Sequence, residues 1–230
     1  MTNPRFARWK PRLRKLMAPA VGLSIAAALL SPALAEDTPV NVLLIGGSHL
    51  TGWGITEAAD HFPAKLASVL AAKGHPANVV DVGYRGTSKD GLRWVTKSKQ
   101  GLTWLETPGR LAVVLELATN DCGILGMDET RSNLDQILTV LAGKSIPILI
   151  VGAAPYHDDC GSEYAQRFPS MLQELADKYG ATLYPDFKDG VTGHAELLQA
   201  DGEHVNAAGD AIVVTRMLPS IEALIARAEK

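Results

Sequence analysis

Val40-Asn41-Val42-Leu43-Leu44-Ile45-Gly46-Gly47-Ser48-His49-Leu50-Thr51-Gly52-Trp53-Gly54 is the stretch that decides how the chain is read. Its first six residues are largely apolar and predict a buried strand. Gly46 and Gly47 free the backbone for a tight turn. Ser48 then stands on that turn with its hydroxyl lifted clear of a sheet. A solvated turn serine has the same local sequence, so a nucleophile must find its partners elsewhere in the chain.

Outward from this stretch the pattern repeats. Apolar runs at 78–82, 111–117, 146–151 and 181–184 predict four more strands. Between them apolar residues recur at helical spacing: Phe62, Leu66, Val69 and Leu70, then Leu134, Ile137, Leu138 and Leu141, then Phe168, Met171, Leu172 and Leu175. A further helix is expected to start near Ser88, and a last one from Ala207 onward carries Ile212, Val213, Met217 and Ile221. Pro169 predicts a kink or a late start, and Pro219 a bend or a break. Strands alternating with helices make one α/β domain, a doubly wound, mainly parallel five-stranded sheet with helices on both faces.

Residues 1–35 are read apart from that domain. Arg5, Arg8, Lys10, Arg12, Arg14 and Lys15 precede a mostly apolar stretch over 18–30, and Ala33-Leu34-Ala35 follows. This is the layout of a secretory signal peptide, with cleavage expected before Glu36 and a domain over 36–230 in the periplasm or outside the cell. The apolar stretch is short against the about 20 residues of a helical span, and no stable membrane insertion is expected after cleavage. Cleavage removes six basic residues and no acidic one, so a formal charge of −3 becomes −9. Nucleic acid and anionic membrane surfaces are then poor partners. Export also permits a disulfide between the two cysteines, Cys122 and Cys160, the alternative being two free thiols.

In such a fold ligands bind outside the carboxyl ends of the strands. Ser48 follows the first strand, Gly86 the second, Asn120 the third and His157 the fourth, and the loop 201–206 precedes the last helix. A serine nucleophile needs a base within about 3 Å and a group that orients it. His204, with Asp201 three residues before it, is the leading base and His157 the runner-up. The backbone N–H groups of Ser48 and Gly86 and the Asn120 amide are candidate oxyanion donors. Each has a plain alternative: a solvated Asp–His pair, a turn glycine, a loop asparagine. Leu50, Trp53 and Trp104 line an apolar substrate pocket or belong to the core.

Taken together, Gly46-Gly47-Ser48-His49-Leu50, Gly86, Asn120-Asp121 and Asp201-Gly202-Glu203-His204 resemble, in order, the four blocks of the SGNH or GDSL-type hydrolases. The nearest type is the small periplasmic branch of thioesterases, lysophospholipases and arylesterases. The resemblance implies a three-layer, flavodoxin-like fold with Ser48 as nucleophile, His204 as base and Asp201 as its orienting residue. It implies an oxyanion hole of Ser48, Gly86 and Asn120 and no metal or cofactor. The activity it implies is hydrolysis of a small carboxylic ester (aryl, short or medium acyl, or lysophospholipid) or a thioester through an acyl-enzyme. Carbohydrate O-acetyl esters are an alternative substrate, and a non-catalytic binding protein on the same fold is an alternative function. Gly47 and His49 stand where the family usually has aspartate and leucine, Ala118-Thr119 where it has two glycines, and Val205 where proline is common. These departures predict a retuned nucleophile turn and a displaced Asn120.

Overall fold

A computed structural model describes residues 38–153 and 160–230. The leader reading of 1–35 and the candidate His157 therefore lie outside the described residues. Five strands, β1 (Val40–Gly46), β2 (Ala77–Asp81), β3 (Leu111–Glu116), β4 (Ile148–Val151) and β5 (Thr182–Tyr184), form one sheet in the order β2-β1-β3-β4-β5. Every pairing is parallel. Among the described residues seven α-helices accompany them: α1 (Ser48–Thr51), α2 (Phe62–Ala72), α3 (Ser88–Lys97), α4 (Lys99–Glu106), α5 (Met127–Gly143), α6 (Ser162–Tyr179) and α7 (Ala207–Ala228).

The two-residue period of the strands divides the core. Val42, Leu44, Ala112 and Val114 face Leu66, Leu70, Val213 and Met217 of α2 and α7. Leu43, Ile45, Val113 and Leu115 face Trp94, Ile137, Leu138 and Leu175 of α3, α5 and α6. Both sides of the central strands are thus buried, which is why β1 and β3 read as nearly continuous apolar runs. The chain winds to β2 on one side of β1 and to β3 on the other, so the loops after β1 and β3 part at the switch point where such sheets bind ligands.

Neither proline interrupts its helix. α6 begins at Ser162, seven residues before Pro169, and α7 continues past Pro219 to Ala228. Both prolines are exposed, so water can hydrate the carbonyl that each leaves without its helical donor. The late start anticipated from Pro169 is not found. Residues 99–106, before β3, form α4.

Candidate active site

Ser48 opens α1 directly after β1. Neither glycine before it has a positive φ, so the turn needs them for a different reason. A Cβ on Gly46 would sit 2.9 Å from the Glu116 carbonyl oxygen and 2.7 Å from Leu50 Cδ1. Close approach of β3 and α1 therefore excludes a side chain there.

The Ser48 Oγ lies 2.8 Å from His204 Nε2, and His204 Nδ1 lies 2.8 Å from Asp201 Oδ2. Asp201 Oδ1 also accepts the backbone N–H groups of Glu203 at 2.9 Å and His204 at 3.0 Å. Burial works to raise the Asp201 pKa, but these two N–H groups and the His204 ring outweigh it and hold the carboxyl at about 2. Gln199 fixes the loop: its N–H donates to the His204 carbonyl at 2.7 Å. Its side-chain amide donates to the carbonyls of Trp53 at 2.7 Å and Val205 at 2.8 Å. Asn206 follows as the N-cap of α7, accepting from Ala208 and Gly209.

Beneath the serine lies a carboxylate that the sequence reading did not single out. Glu116, at the end of β3, is 1% exposed. It accepts the Gly47 N–H at 3.1 Å and the Thr119 hydroxyl at 2.9 Å, and His49 Nδ1 stands 3.5 Å from it. His49 is buried against Phe187 with ring centroids 4.9 Å apart. Three of the departures from the family pattern, Gly47, His49 and Thr119, thus gather on one buried carboxylate. Their convergence ties the turn before Ser48 to the end of β3 through one buried side chain.

Asn120 lines a cleft of about 250 Å³ with Ser48, Trp53, Tyr84, Glu203 and His204. Its Nδ2 would stand 3.3 Å from a Cβ on Gly47, so the amide borders the nucleophile turn. Its neighbour Asp121 has a structural task, accepting the Ser88 N–H at 2.8 Å and the Ser88 hydroxyl, and so ties α3 to the loop after β3. Gly86 lines a second cavity, of about 650 Å³, on the far side of Tyr84. The Arg85 N–H donates to the Gly46 carbonyl at 2.8 Å, which brings this loop against the serine turn.

The three pocket candidates separate. Trp53 is 58% exposed at the cleft and faces Tyr84 across 5.9 Å between ring centroids. Leu50 is not a pocket residue: it points down from α1 into the core between sheet and α2 and is fully buried. Trp104 is not one either, because α4 directs it against the core cluster of α3 and α5. Sequence reasoning missed Tyr84 and Glu203 as cleft walls, although both lie in rim loops that supply other candidates. The Tyr84 phenol is pushed above its usual pKa by burial and by the carboxylates of Asp90, Glu116 and Glu203. Cys122 and Cys160 form a disulfide with their Cα atoms 5.0 Å apart, joining the loop after β3 to the start of α6. Ala118, one of the glycine replacements, has φ +78°, a left-handed conformation that favours glycine.

A serine hydroxyl, an imidazole hydrogen-bonded to a carboxylate, and an adjacent amide form an arrangement suited to acyl transfer. Comparison with known proteins agrees. The model of the GDSL-like lipase/acylhydrolase family matches residues 44–212. Esterase TesA of Pseudomonas aeruginosa is 27% identical over 195 residues, covering 84% of this chain and 93% of that protein. A crystal structure of TesA is similar with a TM-score of 0.67 at 27% identity, covering 80% of this chain and 99% of the other. AlinE4, an SGNH-hydrolase family esterase, is similar with a TM-score of 0.63 at 29% identity, covering 81% and 96%.

Proposed function

Because the chain belongs to the GDSL-like lipase/acylhydrolase family and is an ester hydrolase, we propose that it cleaves short or medium acyl, aryl or lysophospholipid esters, or thioesters, through an acyl-enzyme on Ser48. The observation that carries this reading is the unbroken relay from Ser48 Oγ through both nitrogens of His204 to Asp201, each link 2.8 Å long. His204 Nε2 takes the Ser48 proton as Oγ attacks the carbonyl carbon. Asp201, ionised at any pH well above 2, keeps the proton on Nδ1 and stabilises the imidazolium that forms. The N–H groups of Ser48 and Gly86 and the Asn120 amide receive the oxyanion. His204 then protonates the departing alcohol or thiol, and water attacks the acyl-enzyme by the same route.

The cleft supports small acyl or aryl groups. Its volume of about 250 Å³ is below the roughly 300 Å³ at which pockets for drug-sized ligands begin. Trp53 and Tyr84 supply its aromatic walls. The test is hydrolysis of a p-nitrophenyl ester series, from acetate to palmitate, by the protein and by its Ser48→Ala form. Turnover favouring short chains and lost on the order of 10⁶-fold with the serine is expected. Equal rates for the two proteins across that series, and on carbohydrate acetates, would refute the reading.

A further inference from the structure

The cavity beyond Tyr84 has a charge that the domain as a whole does not share. Arg85, Arg93 and Lys97 line it. Arg93 and Lys97 stand one turn apart on α3, a like-charge spacing that costs helix stability. Among the described residues no carboxylate lies within ion-pair distance of any of the three. Asp90, the one acid in the wall, is engaged in capping α3, where it accepts the Thr87 N–H at 3.1 Å and the Thr87 hydroxyl at 2.8 Å. The Arg85 guanidinium lies 5.9 Å over the Trp94 ring and donates through Nη2 to the Val82 carbonyl, while its buried Nε has no acceptor. A rigidly held arginine and two cations on a neighbouring helix thus converge on open space, in a domain whose formal charge is −9 over 36–230.

We propose that this cavity binds a compact oxyanion, a phosphate or carboxylate group carried by the ester substrate. The proposal rests on the esterase reading. Its geometric basis is the shared wall: Tyr84 lines both cavities, and Gly86, the proposed oxyanion donor, lines this one. An ester seated on Ser48 can therefore extend its charged arm past Tyr84 to the guanidinium and ammonium groups. Phosphate and carboxylate suit the same set of donors.

The test compares kcat/KM for monobutyrin, 1-butyrylglycerol 3-phosphate and a glutarate half-ester of glycerol, measured on the full chain. The anionic esters are expected to be preferred about 10-fold, the size of two partly screened ion pairs acting together. That preference should shrink in concentrated salt and vanish in Arg93→Glu/Lys97→Glu, and the milder Arg93→Gln/Lys97→Gln form guards against misfolding. Lys144→Glu, exposed at the opposite end of α5, should keep the preference. The phosphate sits on the alcohol half and the glutarate carboxylate on the acyl half, so the favoured ester shows which half of the substrate lies against the cavity. A preference absent from the native protein, or unchanged by both double variants, overturns the proposal while ester turnover itself upholds the esterase reading. Should no ester be split, calorimetry with glycerol 3-phosphate decides separately: binding lost in the double variants supports the anion site, and no binding to the native protein refutes it.

Discussion

Asp210 lies in the first turn of α7 with no exposed surface. Burial raises its pKa from 3.8 to about 7, and the Asp60 carboxylate adds to the rise. The Lys65 ammonium and the Phe62 amide favour the charged form but are outweighed. The sign follows from the proton count. Well below pH 4 the carboxyl is protonated in both folded and unfolded chains and costs nothing. As pH rises towards 7 the unfolded chain releases the proton and the folded chain keeps it, so stability falls. Above pH 7 the loss levels off at ~4 kcal/mol, the gap between the two pKa values converted at 1.36 kcal/mol each. Asp210→Asn removes the titration. Urea unfolding of the two proteins at intervals from pH 4 to pH 8 should give stability curves that diverge by ~4 kcal/mol over that range. The corresponding divergence in Tm is about 10 °C for a domain of this size. The packing cost of the amide shifts one curve against the other by a constant and drops out of the divergence. Curves that stay parallel across the range would refute the reasoning.

Glu116→Ala should leave the Thr119 hydroxyl buried without its acceptor and the Gly47 N–H with only the main-chain carbonyl of residue 116, lowering stability by ~1–3 kcal/mol and reducing kcat more than it raises KM, as denaturation and steady-state kinetics would measure. Leu50→Ala should cost ~2–5 kcal/mol by opening a cavity in the core without altering acyl-length preference. Trp53→Ala should do the reverse, shifting the preference at a stability cost within ~0.5 kcal/mol; the ester series and thermal melts read both. Replacing Cys122 and Cys160 together by serine releases a cross-link spanning 38 residues, which corresponds to ~4 kcal/mol of chain entropy. The chain-length optimum should broaden in the same variant, and an unchanged melt and optimum would count against a clamp on the rim.

The fold was legible because its determinants are local. Period-two burial in β1 and β3 and helical spacing in α2, α5 and α7 can be read from single segments. The relay was legible through the resemblance of four ordered blocks to the SGNH hydrolases, since spacing alone left Asp201 and His204 as a solvated pair and Ser48 as a turn serine. What was not legible depends on direction and depth. Leu50 and Trp53 both flank the serine, but α1 turns one into the core and the other to solvent. The task of Glu116 could not be read from its place in β3, since its three partners, Gly47, His49 and Thr119, come from the segments that follow β1 and β3. The cationic cavity needed Arg85 from a loop to meet Arg93 and Lys97 from a helix, a distance in space that spacing along the chain does not encode.

The course of α7 fixes where the molecule can be held. Its first turn adjoins the His204 loop, and near its far end Arg227 donates to the Gly180 carbonyl at 2.9 Å and to the Thr182 hydroxyl at 3.2 Å, at the start of β5. β1 also starts on that edge, since all five strands run the same way. Both ends of the domain therefore leave from the edge remote from the cleft. An enzyme grafted to a bead or a display scaffold through the end of α7 should turn its working face outward.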